Sequence, residues 1–448
     1  MKLTFYGGTG EATGANYILE SNGEQIMVDC GLHQGSRDAE RKNFEPFPYD
    51  AKSVAAVFIT HSHLDHIGRL PSLVKAGFAG AIYSTPPTKD FAELMLLDSE
   101  HILADAAVRE AKPELYNNED IVRVMGLWRG LPYHSPITVG NFTVELFDAG
   151  HILGSAIVKI KTEGKTIVFS GDLGNYPAPI IKPTEMIDAA DYCLIESTYG
   201  DRVHEDVGKR KEMLEKAIID TVRAGGTLMI PTFAMERTQE LLYHLHQLFE
   251  ARLIPRIPVF IDSPLAIKLT AVYKKHEDYF NTATQNLVKS GDDILNFPGL
   301  RLTLTTEKSK EINNVPAPKI VIAGSGMSNG GRILHHEARY LPDPKSTILF
   351  VGYQAEGTLG RAIQGGAKEV HIFGEPVPVR CRVVDIPGYS AHADQPHLLE
   401  WLSSMKASLK KVFVVQGDES SSEVLAGKIT EEFGIAAEVP KTNEEVEL

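Results

Sequence analysis

Val54-Ala55-Ala56-Val57-Phe58-Ile59-Thr60-His61-Ser62-His63-Leu64-Asp65-His66 carries an apolar, β-branched run directly into four metal-ligand side chains within six residues. The run reads as a buried strand over Val54–Ile59. Beyond it, His61 and His63 alternate, so both can converge on one cation while Asp65 and His66 face another. Imidazole and carboxylate donors suit Zn²⁺, or Mn²⁺ or Fe²⁺ in a nitrogen- and oxygen-rich site.

The same arrangement recurs at other strand ends. Asp29 follows the strand Gln25–Val28, Asp172 follows Thr166–Phe169 through Ser170-Gly171, and Glu196 follows Tyr192–Ile195. Ligand sites in α/β folds collect at strand ends, where a rigid sheet holds loop residues in place. His151, in Phe147-Asp148-Ala149-Gly150-His151-Ile152-Leu153-Gly154-Ser155-Ala156, is flanked by small residues that let backbone approach a ligand closely. Alone, His151 would read as a packed core histidine and Asp172 as a turn residue. Beside the cluster at 61–66, both read as parts of one site assembled from distant segments.

Further outward, strands are expected at Val259–Ile261, Thr227–Ile230, Lys319–Ile322, Thr347–Val351 and Lys411–Val415. Helices are expected at Thr88–Ala111, Lys209–Ala224, Thr238–Phe249, Leu265–Tyr279, Arg332–Tyr340, Gln395–Met405 and Ser421–Phe433. Such alternation is the pattern of an α/β layered architecture. A chain of 448 residues has room for two to four domains. It shows no repeat, low-complexity segment or long linker, so a second domain is expected as an insertion, entered within the charged stretch Asp201–Lys216.

The formal net charge is -14, from 45 Lys plus Arg against 59 Asp plus Glu, which excludes a diffuse basic field for nucleic acid or anionic membrane. Phosphate contacts must then come from placed side chains. No apolar run reaches membrane-spanning length and the amino terminus lacks a signal-peptide layout, so the cytoplasm is expected. Cys30, Cys193 and Cys381 form no C-x-x-C and read as buried thiols.

Asp29, the His-x-His-x-Asp-His at 61–66, His151 after a glycine, and Asp172 in Ser170-Gly171-Asp172-Leu173-Gly174 resemble the ordered motifs of the metallo-β-lactamase fold. Glu196 in Ile195-Glu196-Ser197-Thr198-Tyr199-Gly200 and His392 in Gly388-Tyr389-Ser390-Ala391-His392-Ala393-Asp394 resemble the additional motifs of its β-CASP branch. Pro231-Thr232-Phe233-Ala234 with Arg237, Asp262-Ser263-Pro264, Gly324-Ser325-Gly326-Met327 with Arg332, and Gly352-Tyr353-Gln354 through Arg361 are similar to that branch's inserted domain. The branch consists largely of RNA nucleases, and the chain most resembles the short bacterial and archaeal relatives of the endonuclease subunit of the cleavage and polyadenylation specificity factor.

The resemblance implies an α/β fold: an αββα metallo-β-lactamase sandwich from residues 1–204 and 371–448, with an α/β β-CASP domain inserted at 205–370. It implies a zinc-dependent ribonuclease that hydrolyses single-stranded RNA in a cleft between the two domains, has no membrane partner, and is compatible with a homodimer. His61, His63 and His151 would hold one zinc, Asp65 and His66 the other, with Asp172 bridging and Asp29 behind them. His392, oriented by Glu196, would protonate the leaving ribose oxygen, and Asp65 is counted with these two among the catalytic residues.

One departure stands out. The family usually carries a further metal-ligating histidine after a strand near the carboxyl end, where this chain reads Val414-Val415-Gln416-Gly417-Asp418. Gln416 offers only an amide oxygen, a poorer zinc ligand, so the second metal is expected to be weak. Two other functions stay open: a small-molecule hydrolase of the ester or lactam type, and a catalytically weakened RNA-binding relative.

Weaker signals remain. Gly7-Gly8-Thr9-Gly10 has the wrong spacing for a dinucleotide loop and reads as a tight turn. Gly324–Gly331, with Ser325 and Arg332, could present backbone N–H groups and a guanidinium to a phosphate. Arg237, Arg332 and Arg361 each follow a small-residue turn and are candidate RNA phosphate contacts. The helix histidines 244, 246, 335 and 336 read as solvated or packed.

Overall fold

The computed structural model of the chain describes residues 1–204, 207–386 and 389–448. Glu205 and Asp206, where the insertion is expected to begin, and Gly388 of the expected 388–394 motif lie outside the described residues. Two compact units are present: Met1–Val203 with His392–Leu448, and His204–Ala391.

The first unit is built on two seven-stranded sheets. One runs in the order Glu444–Glu447, Lys2–Gly7, Asn16–Ser21, Glu24–Val28, Val54–Phe58, Ala81–Ser84, Trp128–Gly130. The other runs Ala436–Glu438, Lys411–Val415, Tyr192–Glu196, Lys165–Phe169, Ala156–Thr162, Phe142–Asp148, Ile137–Val139. Alternate residues of both sheets meet in one core, with Leu3, Phe5, Val28 and Phe58 packed with Phe142, Val158, Phe169 and Phe413. The opposite faces of the strands bury Met27, Val57 and Ile59 among Ile67, Leu70 and Leu96, and Val168, Ile195 and Val414 among Leu398, Leu402 and Leu425. The central strands are therefore apolar on both faces, and helices cover what the facing sheet does not: an αββα sandwich.

The second unit is a six-stranded, all-parallel sheet in the order Leu300–Leu302, Val259–Ile261, Lys319–Ala323, Thr227–Pro231, Thr347–Phe350, Arg382–Asp385. Two of its helices begin at clear local signals: Ser263 accepts from Ala266 N–H ahead of Pro264, and Thr358 accepts from Arg361 N–H. The single helix expected over Leu265–Tyr279 is instead Pro264–Lys275 followed by one 3₁₀ turn, because His276 leaves the helical conformation at φ −118°.

Segment 371–391, expected in the hydrolase domain, belongs to the second unit. Arg382–Asp385 pairs in parallel with Thr347–Phe350, and Glu375–Pro378 forms a hairpin with Glu369–Ile372. The chain returns to the first unit only at His392.

Candidate metal centre

Every residue expected at the metal site lies in the first unit, on loops that leave the carboxyl ends of its strands. Val54–Phe58 delivers His61, and His63 caps a four-residue helix, Leu64–Ile67, that carries Asp65 and His66. Two glycines allow the loops to approach. A Cβ on Gly31 would stand 1.5 Å from the Asp65 carbonyl oxygen, and one on Gly174 would stand 1.8 Å from the Gly150 oxygen. Any larger residue would push the Asp29 loop away from Asp65–His66, or the Asp172 loop away from His151.

His61, His63, His151 and Asp172 converge. His61 Nε2 lies 3.0 Å from His63 Nδ1 and 3.4 Å from Asp172 Oδ2; His151 Nε2 lies 3.3 Å from His63 Nδ1 and 3.7 Å from Asp172 Oδ2. Two ligands held ~2.0 to 2.1 Å from a tetrahedral zinc stand about 3.4 Å apart, so the donor set has the spacing such an ion requires. The other carboxylate oxygen, Asp172 Oδ1, is buried, stands 3.4 Å from His66 Nε2, and accepts no hydrogen bond from the described residues. Asp172 thus turns one oxygen to the three-histidine group and the other toward His66 and Asp65, whose Oδ2 is 3.8 Å from His66 Nε2.

The tautomers follow from the partners behind the ligands. His66 Nδ1 lies 2.7 Å from Asp29 Oδ2, which turns Nε2 toward the carboxylates of Asp172 and Asp65. Asp29 is itself held by Thr60, whose N–H and hydroxyl donate to its two oxygens at 2.8 Å each. Thr60 is a residue that sequence reading passed over. Its only signal is its place between the strand and the first histidine. Burial and the neighbouring His66 push His61 far below the ordinary imidazole value, so it stands neutral with a lone pair to give. At His66 burial acts in the same direction but is overcome by Asp172, Asp29 and Asp65, which raise it. A carboxylate field strong enough to hold a proton there is one in which a cation can take the proton's place.

Beside these residues, His392 Nδ1 lies 3.2 Å from Glu196 Oε2 and 3.7 Å from Asp172 Oδ2, and Glu196 Oε1 accepts from Leu173 N–H at 2.5 Å. Backbone pairing seats the histidine: Gly174 forms a bridge with it, and Ala393 N–H donates to the Leu173 oxygen at 2.8 Å. Burial would lower His392, but the Glu196 carboxylate outweighs it and raises the imidazole to about 9. Burial raises Glu196 as well.

Gln416 occupies the expected place. Its backbone sits at φ 50°, its side chain is buried, and its Nε2 lies 3.1 Å from His66 Nε2, with Gln416 N–H donating to the Gly8 oxygen at 2.8 Å. The Gly7–Gly10 turn therefore seats this amide. Gln416 Oε1 accepts no hydrogen bond from the described residues.

The arginines expected to touch RNA separate. Arg332 is engaged internally, donating to Asp262 Oδ1 at 2.8 Å and to the Thr303 and Leu304 oxygens. Arg237 donates to the Val351 oxygen at 2.6 Å, at the end of the strand Thr347–Phe350. Arg361 is exposed, and Ser325 Oγ accepts from Asn329 N–H. Three of the helix histidines are packed: His336 on Asp262, His244 on Tyr389 and His246 on Asp292.

Residues 10–192 match the metallo-β-lactamase superfamily, 238–363 the Beta-Casp domain, and 376–440 the Zn-dependent metallo-hydrolase RNA specificity domain. Ribonuclease TTHA0252 of Thermus thermophilus is 38% identical over 423 residues, which are 94% of either chain. The chain belongs to the β-CASP branch of the metallo-β-lactamase superfamily. Other β-CASP relatives are the RNase J-like protein of Methanocaldococcus jannaschii, 30% identical over 98% of this chain and 97% of its own, and transcription termination factor FttA of Methanosarcina mazei, 30% identical over 100% of this chain and 72% of its own. A crystal structure of a protein of unknown function from Enterococcus faecalis shares the fold, with a TM-score of 0.58 at 14% identity over 99% of each chain. As a β-CASP protein the chain is a metal-dependent hydrolase whose carboxyl-terminal part matches an RNA specificity domain. No helix among the described residues is long and apolar enough to cross a membrane.

Proposed function

We propose that this β-CASP protein hydrolyses phosphodiester bonds of single-stranded RNA with zinc held at two unequal sites. The observation that carries the reading is the divided Asp172 carboxylate, one oxygen facing His61 and His151 and the other facing His66. His61, His63 and His151 would hold the first ion, and Asp65 and His66 the second, with Asp172 shared. The second is the weaker because an amide, Gln416, stands against His66 where an imidazole would complete the set. When bound, such ions supply Lewis acidity that activates water and neutralises charge building on the phosphoryl group.

The remaining work falls to the chain. Asp29 and Thr60 fix the ring of His66, so that its Nε2 stays turned toward the carboxylates. Glu196 holds His392 through Nδ1, which leaves Nε2 to donate a proton to the leaving ribose oxygen. Asp172 faces the same imidazole and helps keep it protonated.

The test pairs metal content with cleavage of end-labelled single-stranded RNA. Chelation with EDTA abolishes cleavage and zinc restores it, and His63→Ala loses both zinc and activity. RNA left intact by the zinc-loaded protein, with turnover of a chromogenic ester in its place, would support the small-molecule hydrolase instead.

A further inference from the structure

The inserted sheet has a reversal of strand order at its centre. Strands that follow Thr227–Pro231 are added first on one side, ending with Lys319–Ala323 beside it, and then on the other, beginning with Thr347–Phe350. In open parallel sheets, ligands bind outside the carboxyl ends of the strands at such a switch point. The three loops leaving that edge carry Phe233, Gly324–Gly331 and Tyr353.

Both aromatic rings are exposed, Phe233 by 45% and Tyr353 by 52%, and both are tied to the same loop. The Phe233 ring lies on Gly326, where an added Cβ would come within 2.7 Å of its Cδ2. Tyr353 precedes Gln354, a buried residue whose amide donates to the Gly326 oxygen at 3.0 Å and to the Gly352 oxygen at 3.1 Å. Behind them, Gly360 N–H donates to the Met327 oxygen at 3.1 Å, and Arg361 follows, exposed. Single apolar residues on a surface need no explanation, but two exposed aromatics fastened to one loop at a switch point do.

We propose that Phe233 and Tyr353 are stacking residues for nucleobases of the RNA strand, with Arg361 supplying a phosphate contact beside them. This rests on the ribonuclease reading and names the contacts by which the inserted domain would hold the substrate. Aromatic faces accept every base, and a guanidinium adds charge where the acidic chain otherwise offers little. The pinned backbone matters as well: Phe233 O accepts from the Thr238 hydroxyl at 2.7 Å, so the segment that carries the ring has less backbone freedom to lose on binding.

The experiment measures binding of a nuclease-resistant phosphorothioate single strand by the zinc-loaded full chain, against a matched strand of abasic residues. Phe233→Ala and Tyr353→Ala each raise the Kd for the base-bearing strand by about 5- to 150-fold, and in cleavage raise KM with kcat retained. Phe233→Leu, which keeps the apolar packing on Gly326, shows the same loss, whereas Tyr353→Phe binds as the wild type does. The abasic strand binds all of them equally. Alanine variants that bind the base-bearing strand as tightly as wild type, or that weaken on both strands alike, overturn the stacking assignment while leaving the ribonuclease reading intact. A wild-type protein that neither binds nor cleaves RNA overturns both.

Discussion

Replacing His392 with alanine removes an imidazole whose Nδ1 stands 3.2 Å from Glu196 Oε2 and 3.7 Å from Asp172 Oδ2. Two consequences can be separated. A proton donor to a leaving group contributes ~10² to 10⁴-fold, about 2.7 to 5.4 kcal/mol of barrier. The second consequence is electrostatic. Unit charges ~4 Å apart at an effective dielectric constant near 20 interact by about 4 kcal/mol, so an imidazolium beside Asp172 opposes a metal cation gathered there. Its removal leaves zinc affinity unchanged or tighter, whereas removal of a ligand weakens it. Single-turnover cleavage is compared on ordinary RNA and on RNA with sulfur in place of the leaving ribose oxygen, alongside zinc per chain. Sulfur departs without a proton, so the loss of ~10² to 10⁴-fold on the oxygen substrate should shrink to within about tenfold on the sulfur one. Equal losses on the two substrates, or a variant stripped of zinc, refute the assignment of His392 as a proton donor.

Gln416→His places an imidazole against His66 Nε2, at a backbone φ of 50° that histidine tolerates as well as glutamine. Zinc titration should show the second site tightened and RNA turnover raised; unchanged values for both would mean that Gln416 is not standing in for a ligand. In the second unit, burial would raise Asp262, but hydrogen bonds from His336, Ser309, Thr303 and Arg332 outweigh it and hold the carboxyl at about 2. Its folded value lies below the unfolded one of ~3.8, so its stabilisation of about 2 kcal/mol is present above pH ~4 and is lost as pH falls through about 2. Asp262→Asn should therefore cost stability at pH 6 and progressively less toward pH 2, measured by urea unfolding at each pH; a penalty independent of pH would count against it.

The ligand cluster was legible because its chemistry is local. His61, His63, Asp65 and His66 fall within six residues, and the strand before them is apolar enough to recognise. His151, Asp172 and Glu196 were legible as residues following strands or glycines, and His392 through the resemblance of its motif to the β-CASP branch. The arginines were not. Arg332 and Arg361 look alike in sequence, each after a glycine-rich turn, yet one is bound to Asp262 and the other is exposed. Which partner a guanidinium finds depends on Asp262, 70 residues away in the chain.

By itself the sequence determined which residue types meet at strand ends, and hence the metal chemistry and the layered fold, since both depend on short-range periodicity and composition. Only the tertiary structure decided that Asp172 presents its two oxygens to different groups, that Gln416 stands against His66, and that Arg382–Asp385 joins the inserted sheet. Those facts depend on distances between residues up to 350 positions apart, and they are set by strand pairing and by glycine contacts too close for any side chain.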